Sequence, residues 1–336
     1  MINGHGDDIY SYGTKIVSNF SSNIYTATDM AALDAYLCSR ISAIHSYPEP
    51  DGASLAQQLA THHKIDAENI CLTNGATEAI YLIAQAFRGK RASILIPTFS
   101  EYADACLANE MQVQYANRLE DISTESNLIW ICNPNNPTGK VIDKETLIEF
   151  ISEHSQATIV IDQSYGYFTR KEVFSVEESL QYNNLILLHS LTKKYAIPGL
   201  RLGYFTANES LADKVKRFRM PWSVNQMAIE AGHFLLNNSD IFSPDIDTYL
   251  TEKERFASEL KTIGGLKVDN SDTHFFVCRL SRQSAAELKK RLIENHGILI
   301  RNADNFKGLN QSCFRLATQA KEENDRLINI LKKWIL

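Results

Sequence analysis

From about residue 53 the chain alternates between two hydrophobic periods. In ATEAIYLIAQAF the apolar and small positions fall at 76, 79, 80, 83, 84 and 87. That spacing predicts one face of a helix that stops near Gly89. ASILIP, NLIWIC, ATIVID and NLILLHS are short runs with no polar face, which predicts strands buried on both sides. Between them DKETLIEFISEH reads as an amphipathic helix with Asp143 at its N-cap. Apolar strands separated by helices imply a largely parallel sheet covered on both faces, with ligands held beyond the carboxyl ends of the strands.

After about residue 205 the pattern changes. Helical stretches over 208–219, 223–237 and 245–263 lead to short strands at KVD, HFFVCRL, ILIR and CFRLAT, then to a last helix, KEENDRLINILKKW. This predicts a smaller α+β domain. The expected division is an amino-terminal arm over 1–45 that joins the small domain, a large domain over 46–225, and the small domain over 226–336.

Composition narrows the class. The chain has 336 residues, 44% of them hydrophobic and 22% charged, with a net charge of −6. The acidic balance and the lack of a Lys/Arg-rich block argue against nucleic-acid binding. No apolar run approaches the ~20 residues that span a bilayer, and MINGHGDDIY lacks the regions of a signal peptide. A cytoplasmic protein is the expectation. Cysteines 38, 71, 106, 132, 278 and 313 are scattered without C-x-x-C spacing, and read as reduced core residues rather than disulfides or metal ligands.

Chemistry concentrates at strand ends. In ATIVIDQSYGYF, Asp162 closes an apolar strand and Tyr165 follows. A carboxylate there needs a partner, and a helix cap or an ion pair would serve as well as a ligand. CNPNNPTGK holds turn formers in which Asn136 precedes Pro137, an arrangement open to a cis peptide. SLTKKYAIPGLRLGY carries Ser190, Thr192, Lys193 and Arg201 at the end of another strand; hydroxyls and a guanidinium suit an anion such as phosphate. LTNGATEAI sets Gly75, Ala76 and Thr77 at a strand-to-helix junction, where free N–H groups also favour phosphate. No metal-ligand cluster and no glycine-rich nucleotide fingerprint accompanies them. A phosphorylated aldehyde cofactor fits the phosphate cradle, carboxylate, phenol, amide and buried lysine together.

These four segments, in this order, resemble the fold-type I pyridoxal-phosphate (PLP) enzymes of the aminotransferase class I/II family over nearly the whole chain. The resemblance implies an α/β fold, with a large domain built on a mostly parallel seven-stranded sheet flanked by helices, plus a smaller α+β domain. It implies that Lys193 forms an imine with PLP and later acts as acid/base. Asp162 would pair with the pyridine nitrogen, and Asn136 and Tyr165 with the ring's phenolic oxygen. Ser190, Thr192, Arg201 and the Gly75–Thr77 turn would hold the phosphate, and Phe99 would stack on the ring. Lys194 would be a packing or solvent-side neighbour. Tyr47, in HSYPEPDG, would reach the cofactor phosphate of a neighbouring subunit, which implies a homodimer with shared sites.

Within the family, four stretches resemble decarboxylases of a phosphorylated amino acid, an activity of cobalamin side-chain assembly. They are the complete lysine segment, MPWSVN at 220–225, the HGD followed by NFSSNI, and ILIRNADNFKGL. Aminotransferases that use a 2-oxo acid are the alternative, and a PLP-binding protein without catalysis is a remote one. Arg315 corresponds to the carboxylate-binding arginine of the family. His5, Asn23, Asn136 and Arg301 would bear on the rest of the substrate. Asp7 stands where the usual motif is H-G-G.

Overall fold

The computed structural model describes residues 6–12, 16–24, 28–243 and 245–334. Strand β1 (Ser18–Asn19) lies near the amino terminus. Then β2 (Ile70–Thr73), β3 (Arg91–Leu95), β4 (Gln112–Ala116), β5 (Leu128–Cys132), β6 (Thr158–Asp162), β7 (Leu185–Ser190) and β8 (Gly203–Ala207) form a seven-stranded sheet in the order β2-β8-β7-β6-β5-β3-β4. Strand β8 runs antiparallel to β2 and β7, and the other pairs are parallel.

Side-chain alternation buries both faces of this sheet. From β5, Leu128, Trp130 and Cys132 join the core with the helices Gly75–Ala86 and Glu101–Ala108. Ile129 and Ile131 point the other way, to Ile159, Ile161, Leu185 and Leu187 and the helix Lys144–Glu153. Register aligns Cys132 with Asp162 and Asp162 with Leu188, so β5 and β6 finish level and β7 runs two residues further, to Ser190. Asp143 does hold the N-cap position of Lys144–Glu153, but its side chain makes no capping bond and pairs with Lys171 at 3.5 Å instead.

The second core belongs to a four-stranded antiparallel sheet. Its strands are β9 (Leu266–Val268), β10 (Phe275–Leu280), β12 (Arg301–Asn302) and β13 (Cys313–Ala317), in the order β12-β13-β10-β9. Strand β11 (Ile298–Leu299) pairs in parallel with β1. Phe20 follows β1 into the core with Phe256, Phe276, Leu292, Phe314 and Leu327.

Packing departs from the expected boundaries in two places. Leu33, in the helix Ala31–Arg40, clusters with Leu55, Leu72 and Tyr204 beside the large sheet, so only the first part of the 1–45 arm goes with the smaller unit. The same cluster takes Ala228, Ile229 and Leu235 from the helix Gln226–Asn237, and Phe242 beyond it. These residues pack beside the large sheet. That helix is capped by Asn225, whose side chain accepts from Ala228 N–H at 2.9 Å.

Of the six cysteines, Cys38 is exposed while the other five are buried. No helix among the described residues is long and apolar enough to cross a membrane.

Candidate active site

A cavity of about 290 Å³ opens where the carboxyl ends of β5, β6 and β7 meet the smaller sheet. Its lining includes Ala76, Thr77, Phe99, Asn136, Asp162, Tyr165, Ser190, Thr192, Lys193 and Arg201 from the large sheet's side. Asn23, Arg301 and Arg315 line it from the other. His5 lies outside the described residues. Tyr47 does not line it; the residue is 84% exposed and its ring packs on Trp222, with centroids 5.3 Å apart.

One end of the cavity is built for an anion. Ser190 and Thr192 hydroxyls bond each other at 2.7 Å. The chain then turns through Pro198–Leu200 to Arg201, at φ +59°. Gly75 (φ +75°) begins the helix Gly75–Ala86, and a Cβ there would come within 2.6 Å of an Arg201 guanidinium nitrogen. A Cβ on Gly203 would come within 2.6 Å of the Ala76 nitrogen. Two glycines thus let the arginine and strand β8 close onto the helix start. No side chain caps that helix at Asn74, so its first N–H groups are left for an anionic ligand.

The floor carries Asp162, wholly buried. It accepts from the Tyr102 hydroxyl at 2.6 Å and from the Ser164 N–H at 2.8 Å. Burial still holds its carboxyl above the usual range, so a cationic partner would be welcome there. Tyr102 was not foreseen from the sequence; its ring lies flat on Trp130, with centroids 5.0 Å apart. Phe99 meets the Tyr102 ring edge-on at 5.9 Å.

Lys193 is half-buried, and its amine is pushed down to about 8, first by desolvation and then by the Arg315 and Arg201 charges. A large fraction is therefore neutral amine near pH 8, the form that attacks an aldehyde. Its neighbour Lys194 is also buried, packed over the rings of Tyr167 at 4.1 Å and Tyr195 at 4.8 Å. It is a packing neighbour, not a solvent-side one.

The roof is cationic. Asn23 donates from Nδ2 to the Tyr165 hydroxyl at 3.1 Å, and burial pushes that phenol up to about 12. Arg315 donates to Asn136 Oδ1 at 2.5 Å and to the Ser21 carbonyl at 2.6 Å, while its Nε has no partner. The Asn136–Pro137 bond is cis. Arg301 donates to the Asn302 carbonyl at 2.6 Å and to Asn305 Oδ1 at 2.9 Å, and its guanidinium sits 4.9 Å from the Phe306 ring centre. Burial lowers Arg301 to about 10 and Arg315 to about 9.

The model of the family described as aminotransferase class I and II matches residues 15–331. The chain belongs to that family. Its members use PLP, and the anion end, buried carboxylate, ring face of Phe99 and reactive lysine fit that cofactor. A solved structure of L-threonine-O-3-phosphate decarboxylase from Porphyromonas gingivalis is 38% identical; the match covers 95% of this chain and 99% of that one, with a TM-score of 0.92. The threonine-phosphate decarboxylase of Salmonella typhimurium is 29% identical over 98% of this chain and 95% of its own length. A histidinol-phosphate aminotransferase of Caldanaerobacter subterraneus subsp. tengcongensis is 32% identical over 86% of this chain and 84% of its own. The family member described here thus has the fold-type I architecture expected from its motifs, and its relatives include both activities.

Proposed function

We propose that this enzyme decarboxylates L-threonine O-3-phosphate to (R)-1-amino-2-propanol O-2-phosphate in cobalamin assembly, as a cytoplasmic homodimer. The reading rests on one observation: Arg301 and Arg315 are register partners on β12 and β13, buried in the same cavity as Lys193. Two buried guanidiniums on one cavity wall suit a ligand with two anionic groups. A phosphoamino acid carries both, as carboxylate and phosphate, on one molecule. The likeness to the Porphyromonas gingivalis decarboxylase supports the same choice.

When bound, PLP supplies the electron sink that accepts the pair left by the departing carboxylate. Asp162, held by Tyr102 and Ser164, would face the ring nitrogen and keep it protonated. Asn136, Tyr165 and Asn23 orient the ring's phenolic oxygen. Arg315 grips the substrate carboxylate and Arg301 the phosphate. Lys193 Nζ would hold the cofactor and, once free, would deliver a proton to the substrate α-carbon.

Transamination is the second reading, favoured by the 32% identity to the Caldanaerobacter aminotransferase. The test is a reaction of the PLP-loaded enzyme with L-threonine phosphate and no 2-oxo acid. Carbon dioxide release with the amino-alcohol phosphate as product is expected. No release, together with turnover of histidinol phosphate that depends on 2-oxoglutarate, would replace the decarboxylase reading.

A further inference from the structure

One charged side chain in the cavity has no task in that scheme. Asp7 lines it together with Lys193, Arg301 and Arg315. Its backbone is in the left-handed region, at φ +60°, a conformation that aspartate tolerates better than most residues. Its N–H donates to Ser21 Oγ at 3.1 Å, and its Oδ1 accepts from Asn19 Nδ2 at 2.5 Å. Asn19 has little choice in this, because its Oδ1 already accepts from the N–H groups of Ser21 and Ser22 at 3.0 and 3.2 Å. The next residue, Asp8, takes Lys289 with both oxygens at 2.7 and 2.9 Å. That pair fastens the segment to the helix Ala285–His296. Gly6 lies against Arg301, whose Cδ would be 3.0 Å from a Cβ there. Among the described residues, no cation lies within ion-pair distance of Asp7. It is an aimed carboxylate in no direct ion pair, with Lys193 a cation that its charge reaches.

We propose that Asp7 is a specificity-determining residue whose carboxylate receives the α-ammonium of the incoming amino acid and disfavours acids with a carbonyl or hydroxyl at that position. The inference rests on the reading of this cavity as the substrate site of an amino-acid enzyme, and it deepens that reading. With the cofactor phosphate on Arg201 and the ring nitrogen on Asp162, the other charged side chains that line the cavity beside Lys193 are Arg301, Arg315 and Asp7. A phosphoamino acid presents phosphate, carboxylate and ammonium, one for each. A 2-oxo acid presents only anions and a carbonyl oxygen, so it brings Asp7 no partner and adds repulsion. The Asp7 charge also reaches Lys193, where it opposes the downward push of Arg315 and Arg201 on the amine. A transaminase must admit 2-oxo acids through the same site; a decarboxylase has no such need.

The test uses PLP-loaded enzyme reduced with borohydride, so that the cofactor stays on Lys193 and ligands bind without reacting. Calorimetry then compares O-phospho-L-serine with 3-phosphoglycerate, which share carboxylate and phosphate but differ in amine against hydroxyl. Asp7→Asn keeps the size, the acceptor for Asn19 and the tolerance of φ +60°, and removes the charge. In the wild type the amine should bind more tightly. In the variant, phosphoserine should weaken roughly tenfold or more while phosphoglycerate tightens, so that the preference collapses. An equal loss for both ligands, or no change in either, would overturn the proposal. The outcome is independent of the reaction. Carbon dioxide release with an unchanged preference removes only the role of Asp7. A collapsed preference without carbon dioxide release removes only the decarboxylase reading.

Discussion

Arg301 and Arg315 stand directly opposite each other on adjacent antiparallel strands, at 7% and 5% exposure. Like charges in that position repel, and Arg315 donates to two neutral oxygens, Asn136 Oδ1 and the Ser21 carbonyl. Anions arriving in the cavity would ease that repulsion, and the two arginines should answer to different ones. Arg301→Ala is expected to raise KM for L-threonine phosphate about a hundredfold and leave binding of unphosphorylated L-threonine nearly unchanged. Arg315→Ala should weaken both ligands and lower kcat as well, because Asn136 loses its partner. Steady-state kinetics with both compounds distinguishes the two patterns. Equal effects of Arg301→Ala on both would separate this arginine from the phosphate.

Tyr102 holds Asp162 from a ring pinned to Trp130. Tyr102→Phe keeps the stacking and removes the 2.6 Å hydrogen bond, leaving the buried carboxylate with the Ser164 contacts. A hydrogen bond to a charged group is worth about 1.5–3 kcal/mol. The Asp162 pKa, already raised by burial, should rise further, which weakens its hold on a protonated ring nitrogen. A roughly tenfold higher Kd for PLP is expected, read by fluorescence titration of the cofactor-free protein, with near-normal secondary structure by circular dichroism.

Much of this was readable in the chain because the chemistry sits where strand patterns stop. Asp162 and Ser190 each end an apolar strand run, and Lys193 follows in the short helical turn after Ser190. Strand β4 escaped notice because QVQYA is an edge strand, exposed or half-exposed except at Ala116. GYFTA, the antiparallel β8, merged with the lysine segment that precedes it. Tyr102 was hidden for another reason: in EYADAC it occupies the apolar face of a helix, and packing alone accounts for an aromatic there. Only the fold reveals that its hydroxyl reaches a residue sixty positions away in the chain. The helix Gln226–Asn237 shows the same limit, since its amphipathic period is identical whichever core it faces. Asp7 was visible as a departure from H-G-G, but the hydrogen bonds that aim it depend on Asn19 and Ser21.

Lys194 offers a pH test. It is buried over Tyr167 and Tyr195, and among the described residues no carboxylate pairs with it. Burial depresses its amine from 10.5 to about 8. Between those values the unfolded chain binds more protons at this residue than the folded one, so its contribution to stability rises with pH from about 8 to 10.5. Below pH 8 the folded state carries an unpaired buried charge, offset in part by the two rings. Lys194→Met, similar in length and apolar, should therefore be more stable than the wild type at pH 7, by about 1 kcal/mol. That advantage should fade as pH passes through 8 toward 10. Thermal melts of both proteins across pH 7–10 give the difference directly, and the many other groups that titrate there cancel between them. A gap that stays constant with pH would mean the amine is not carrying the burial cost.

Tyr47 lies outside its own cavity, and with Trp222, Met220, Ile41 and Ile44 it adds to the exposed large apolar side chains. In the proposed homodimer this surface is covered, and Tyr47 serves the cofactor phosphate of the other subunit. Mixed dimers put that to a sharp test. Lys193→Ala alone is expected to abolish activity, and Tyr47→Ala alone to reduce it about tenfold through weaker hold on the phosphate. In a dimer of one Lys193→Ala chain and one Tyr47→Ala chain, shared sites place both defects in one cavity and leave the other intact. Activity should then recover to about half of the wild-type value per dimer. If Tyr47 acts within its own chain, each cavity keeps one defect and no such recovery occurs. Differently tagged chains, co-refolded and purified through both tags, allow the comparison at equal cofactor load.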